Sequence, residues 1–180
     1  MSGEVDASRG NEGAHSVVVD RLHDDVVLPS RATAGSAGFD LRAHLRARTV
    51  RCSDTQAQYE RAATEENGEW GIDLAPREMA LIPLGFKARI PVGIEAQIRP
   101  RSGTSFKKGL QIPNAPGTID SDYPDEWMVI VRNPTPTPIR IEHGERVAQM
   151  VLARYEVLPI ESGTVTISTS RIGGFGSTGQ

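Results

Sequence analysis

Short runs of alternating apolar and polar residues recur along this chain at intervals of roughly 8–12 residues, with glycine or proline between them. Residues 17–22 (VVVDRL) form a β-branched run. Residues 80–90 (ALIPLGFKARI) and 94–100 (IEAQIRP) read as two strands about the turn Pro91-Val92-Gly93. Residues 127–133 (WMVIVRN) give another strand, residues 137–159 two more, and residues 164–169 (TVTIST) a last one. Side chains along a strand point alternately to its two faces. The spacing therefore predicts an all-β sandwich or barrel. The 12 prolines agree, because β connections use proline and helix interiors reject it.

One segment departs from the pattern. Residues 52–67 (CSDTQAQYERAATEEN) carry Ala, Gln, Glu and Arg where β-formers are expected. Ser53 with Gln56 three residues later makes a capping box, so a short helix is expected there. The stretch is polar all round, which predicts an exposed excursion.

Length and composition narrow the picture. The chain has 180 residues, enough for one domain and one core. A net charge of -3 argues against a nucleic-acid binder, which carries a basic face. Cys52 is the only cysteine, so no internal disulfide can form. No apolar run is long enough for a transmembrane helix, and the polar start lacks the apolar region of a signal peptide. The expectation is an intracellular, cytoplasmic protein without membrane or nucleic-acid partners. Residues 1–16 are expected to be a disordered tail.

Five stretches carry candidate chemistry. Residues 32–43 (ATAGSAGFDLRA) place two glycines and small residues before Asp40. Residues 99–109 (RPRSGTSFKKG) set Arg101, Ser102 and Gly103 in a basic setting. Arginine presents a fork of donors to phosphate, serine adds a hydroxyl, and glycine lets the backbone approach; a solvated basic turn is the plain alternative. Residues 113–127 (PNAPGTIDSDYPDEW) hold turn chemistry, then Asp120, Asp122 and Tyr123. Such acids can position a water or metal, or simply face solvent. Residues 144–150 (GERVAQM) carry Arg146 and Gln149. The chain ends on GGFGSTGQ, residues 173–180. That tail is either frayed or a phosphate cradle of backbone N–H groups and hydroxyls.

In this order the stretches AGSAGFDLRA, PRSG, NAPGTIDSDY with Glu126, RVAQM and GGFGSTG resemble the five motifs of the trimeric-type dUTPases. The resemblance runs from about Val17 to the C-terminus. It implies a jelly-roll-like β domain over residues 17–168, assembled as a homotrimer whose active sites are shared between subunits. It implies hydrolysis of dUTP to dUMP and pyrophosphate by water attack on the α-phosphate. Carried over residue by residue, Asp120 positions and deprotonates the water, with Asp40 and Gln149 as further catalytic contacts. Tyr123 packs under the deoxyribose, where a 2′-hydroxyl cannot fit. Asn114, Gly117, Thr118 and Ile119 belong to the hairpin that recognises uracil. Arg101, Ser102, Gly103 and Arg146 match phosphate contacts. Mg²⁺ is the implied cofactor, held mainly by the substrate phosphates and water, with Asp40 acting through water. Residues 169–180 match a mobile arm that closes over the nucleotide. In it Phe175 stacks on uracil, and Gly176, Ser177, Thr178 and Arg171 meet the phosphates.

The chain departs from that pattern in three places. Asp125 stands where the family usually has glycine. Ser170 occupies the spacing of the usual arginine, with Arg171 one residue closer to Phe175. Residues 46–72 are extra by comparison and read as a polar, partly helical surface insertion. Two alternatives are open: a dUTP-binding regulatory protein acting through the insertion, and a dCTP deaminase-like enzyme. The second lacks its glutamate, since Ile130 lies ten residues after Asp120.

Overall fold

The computed structural model describes residues 16–166 and Ser168. Of the expected N-terminal tail only Ser16 falls among them, and it is an exposed bend. The elements, in chain order, are β1 (Val18–Arg21), β2 (Phe39–Arg42), β3 (Thr49–Ser53), β4 (Gln58–Ala62), β5 (Thr64–Glu66), β6 (Glu69–Leu74), β7 (Met79–Pro83), β8 (Phe86–Arg89) and β9 (Ile94–Arg99). Then come α1 (Ser102–Lys108), β10 (Gly117–Ile119), β11 (Met128–Arg132), β12 (Ile139–Glu142) and β13 (Arg146–Arg154). Every pairing is antiparallel. The sheets run β10-β9-β13-β2, β11-β7-β3-β4, β12-β6-β5 and β1-β8. This is an all-β fold of jelly-roll type. Among the described residues no helix is long and apolar enough to cross a membrane.

The predicted alternation is what builds the core. Val129 and Val131 of β11, Ala80 and Ile82 of β7, and Val50 and Cys52 of β3 all point inward, while their neighbours face out. Ile72, Leu74, Ile139 and Ile141 close the core from the third sheet. Trp127 is fully buried against Phe86, ring centroids 5.4 Å apart, and its Nε1 has no hydrogen-bond partner among the described residues.

Three expectations change. Residues 80–90 are not one strand but parts of β7 and β8, broken at Gly85. Gly85 has φ 76°, and a Cβ there would come within 2.6 Å of Val26 and 2.8 Å of His44. Glycine lets the chain turn from one sheet to the other. Residues 164–166 and Ser168 carry no strand and are exposed.

The third concerns residues 46–72. They form neither a helix nor an outlying excursion. They supply β3, β4, β5 and most of β6, and β3 lies between β7 and β4 within a sheet. The capping chemistry is present but does different work. Asp54, not Ser53, collects the free N–H groups. Its Oδ1 accepts from Gln56 N (2.7 Å) and Ala57 N (2.8 Å), closing the β3–β4 turn. A short oxygen side chain serves a hairpin turn as readily as a helix start, and the period-2 burial of Val50 and Cys52 decides between them.

Candidate functional site

The sheet β10-β9-β13-β2 carries most of the predicted site. Gly117 and Ile119 of β10 pair with Ile98 and Ala96 of β9, and Gln149 of β13 lies opposite Arg99 on one side and Asp40 of β2 on the other. β10 and β13 flank β9, so their residues stand about two strand spacings apart, roughly 9–10 Å.

At the β13–β2 end, a cleft of about 400 Å³ is lined by Gly38, Asp40, Arg99, Arg101, Ser102 and Gln149, among others. Asp40 accepts from Arg101 Nε (2.7 Å) and from Arg146 NH1 (3.1 Å). One carboxylate thus holds two guanidinium groups at the rim and leaves excess positive charge facing the cleft. Arg101 is also the N-cap residue of α1, which contains Ser102 and Gly103. α1 was not foreseen as a helix. Its first N–H groups have no intrahelical partner and add to an anion-favouring wall. Gln149 donates from Nε2 to the carbonyl of Pro100 (2.8 Å). Gly38 lies directly beneath it, and a Cβ there would run into the Gln149 side-chain amide and force it to move.

At the β10 end, a cleft of about 550 Å³ is lined by Asn114, Gly117, Thr118, Ile119, Tyr123 and Glu126, with others. The hairpin is tight: a Cβ on Gly117 would come within 3.0 Å of Asn114 Nδ2. Asp120 follows directly on β10 and is exposed. The carbonyl of Asp120 accepts from Tyr123 N (3.3 Å), which turns the chain so that Tyr123 stands half exposed. Asp125, the unusual acid, lines this cleft, as do Lys87 and Arg51. Among the described residues none lines both clefts.

The structure therefore brings Asp40, Arg101, Ser102, Gly103, Arg146 and Gln149 together. It sets Asn114, Gly117, Thr118, Ile119 and Tyr123 apart from them. Arg171, Phe175, Gly176, Ser177 and Thr178 lie outside the described residues. Gly38, Lys87 and Arg51 were not singled out in the sequence. Gly38 sits inside a motif that was, but Lys87 and Arg51 reach the cleft only through strand pairing.

Among the described residues one group of possible metal ligands lies elsewhere. Asp25, His44 and His143 offer ligand atoms within 4.8 Å of one another. However, His143 Nδ1 accepts from Leu45 N (3.0 Å), so in the neutral ring the proton sits on Nε2, the nitrogen that faces Asp25 Oδ2 at 3.4 Å. A metal would need that lone pair free, and these residues do not fit one. In the basic cleft, both oxygens of Asp40 are engaged by arginines. That donor set suits a cation that arrives with its own phosphate ligands, not one caged by the protein.

The fold and its paired clefts define an antiparallel β protein with a basic, glycine-floored cleft at one end of a sheet and a hairpin-walled cleft at the other. Comparison with known proteins places it within a family. Residues 71–179 match the dUTPase family model. The chain is 42% identical over 153 residues to the deoxyuridine 5′-triphosphate nucleotidohydrolase of Rhizobium meliloti (strain 1021), covering 84% of this chain and 82% of the relative. Among solved structures, the dUTPase of Staphylococcus bacteriophage 80alpha with dUPNHPP superposes with a TM-score of 0.71 at 22% identity, over 92% of this chain and 99% of the other. The dUTPase from phage phi11 of S. aureus, whose structure concerns the coordination of a structural Mg(II) ion, gives a TM-score of 0.65 at 19% identity over 85% and 99%. The chain belongs to the dUTPase family.

Proposed function

We propose that this protein hydrolyses dUTP to dUMP and pyrophosphate, with the nucleoside in the hairpin-walled cleft and the phosphates on the basic cleft. Beyond family membership, the observation that carries this reading is the division of the motif residues between two clefts on the flanks of β9. Each cleft holds the groups for one half of a nucleotide. Neither is complete, which supports an assembly in which clefts of neighbouring copies face each other, a homotrimer in this reading.

In that assembly Asp120 orients and deprotonates the attacking water, a task suited to an exposed carboxylate at the end of a rigid strand. Tyr123 supports the sugar and leaves no space for a 2′-hydroxyl. The hairpin of residues 113–119 offers fixed polar groups to uracil. Cytosine is rejected because its mismatched groups stay unpaired. Arg101, Ser102 and Gln149 hold the phosphates, and Arg146 keeps Asp40 and Arg101 in place. Bound Mg²⁺ supplies charge neutralisation of the triphosphate, and Asp40 would hold it through water. The residues 169–180 close over the bound nucleotide and exclude bulk water.

The test is a substrate panel of dUTP, dCTP, dTTP and UTP with Mg²⁺, read by pyrophosphate release. Release from dUTP alone is expected. Ammonia from dCTP would replace this reading with deamination, a reaction for which Ile130 provides no proton shuttle.

A further inference from the structure

Three of the four histidines of the chain meet in one place, away from the proposed phosphate contacts. His23 stacks on His44 with ring centroids 4.4 Å apart, and His44 meets His143 edge-on at 5.0 Å. They come from the segment after β1, the segment after β2 and the turn before β13. Each presents one nitrogen to a donor. His23 Nε2 takes Arg48 NH1 at 3.0 Å, His44 Nδ1 takes the same NH1 at 3.5 Å, and His143 Nδ1 takes Leu45 N at 3.0 Å and Arg46 N at 3.4 Å. An N–H facing each of these nitrogens favours the ring form that keeps a lone pair there. The remaining nitrogens of His44 and His143 face Asp25, at 2.8 and 3.4 Å.

Arg48 carries this cluster into the nucleoside cleft. Its guanidinium forms a two-armed pair with Glu126, NH2 to Oε2 at 2.6 Å and NH1 to Oε1 at 3.1 Å, with both side chains largely buried. Glu126 Oε1 also accepts from Gly85 N (2.8 Å). Glu126 lines the nucleoside cleft and ends the segment that carries Asp120 and Tyr123. Fork-to-fork pairing of arginine with carboxylate fixes orientation as well as distance.

We propose that Arg48 is a positioning residue for the nucleoside cleft, acting through Glu126, and that the His23–His44–His143 cluster makes its grip depend on proton concentration. This rests on the dUTPase reading above. A proton added to any of the three accepting nitrogens sets donor against donor. At His23 and His44 it also adds charge beside Arg48, and at His143 beside Arg46. The charged groups that bear on the cluster are Asp25, Arg46, Arg48, Glu69 and Glu126. Asp25 favours a charged ring, but its contacts are to the nitrogens that already carry hydrogen in the neutral state. Protonation therefore acts where Arg48 and the backbone donate. Burial and the neighbouring His44 hold His143 below the usual histidine range, so it resists charging until the medium is acidic. Below that point His143 sets a proton against the N–H groups of Leu45 and Arg46. The turn they form carries Arg48, whose N–H donates to the Leu45 carbonyl (3.2 Å), so the grip on Glu126 loosens with it.

The experiment measures kcat and KM for dUTP between about pH 8 and pH 5.5, the span over which histidine titrates. Wild type is compared with the double variant His23→Gln, His143→Asn. Glutamine can present oxygen near the Nε2 position and asparagine near Nδ1, and neither titrates. For wild type, KM should rise about tenfold on acidification, the equivalent of one weakened charge-assisted hydrogen bond. In the double variant, where of the three only His44 can still take up a proton, KM should rise much less than in wild type, while kcat follows the same profile in both proteins. Arg48→Met should show the raised KM already at pH 8, without further response to acid. Thermal melting at pH 8 reports whether each variant is folded. Parallel KM profiles in wild type and a folded double variant would overturn the proposal. A wild type that releases no pyrophosphate at either pH would instead remove the hydrolase reading itself.

Discussion

Asp120 is the residue on which the proposed chemistry turns. Asp120→Asn keeps its size and removes its basicity, so substrate should still bind while turnover falls about 10²–10⁴-fold. Single-turnover pyrophosphate release measures this directly. A near-normal rate would move the base elsewhere. Residues of this kind were legible in the sequence because each sits in a short local motif. Asp40 was legible as an acid beside glycines, but not as the partner of Arg101 and Arg146, which lie 61 and 106 residues away. Distance along the chain hides such pairs. The same holds for Arg48 and Glu126, separated by 78 residues.

At the scale of elements, alternating apolar runs predicted the strands of the core well. They failed over residues 46–72, where polar residues occupy the outward positions of real strands and only Val50, Cys52, Ala63, Gly71 and Ile72 are buried. Few apolar residues are needed when a buried polar network does part of the fixing. Glu78, 1% exposed, accepts from Tyr59 Oη (2.5 Å), Arg61 NH1 (3.1 Å) and Ala75 N (2.6 Å). Burial pushes this carboxyl up, but the three donors outweigh it and hold it below the usual range. The hydrogen bond to Glu78, aided by burial, pushes the Tyr59 hydroxyl up to about 12. Its folded-state value lies above the unfolded one near 10. The linked stability is therefore intact below pH 10 and is lost as the pH rises toward 12. Replacing residues 46–72 by a short Gly-Ser link would remove β3 from beside β7 and most of β6 from beside β12. The expected outcome is loss of cooperative melting, or a melting temperature lowered by more than about 10 °C. A melt unchanged by the replacement would restore the view of this segment as a dispensable surface excursion.

For the whole molecule, the two clefts and the C-terminal segment point the same way. After β13, residues 155–166 follow without regular structure, and Val157, Leu158 and Ile160 are 81, 75 and 101% exposed. Apolar side chains left in water in one chain are stabilised when a second copy covers them. Light scattering should give about three times 19.5 kDa, and a stable, active monomer would reject the shared-site reading. Trp127, packed on Phe86 beside the Glu126 that Arg48 grips, also makes the molecule its own optical probe. An indole sealed from water, with no partner for its N–H among the described residues, emits at the blue end of the tryptophan range and is shielded from soluble quenchers. Trp70, the only other tryptophan, is half-buried and emits further to the red. The two colours separate light that reports the wall of the nucleoside cleft from light that reports the β12-β6-β5 sheet.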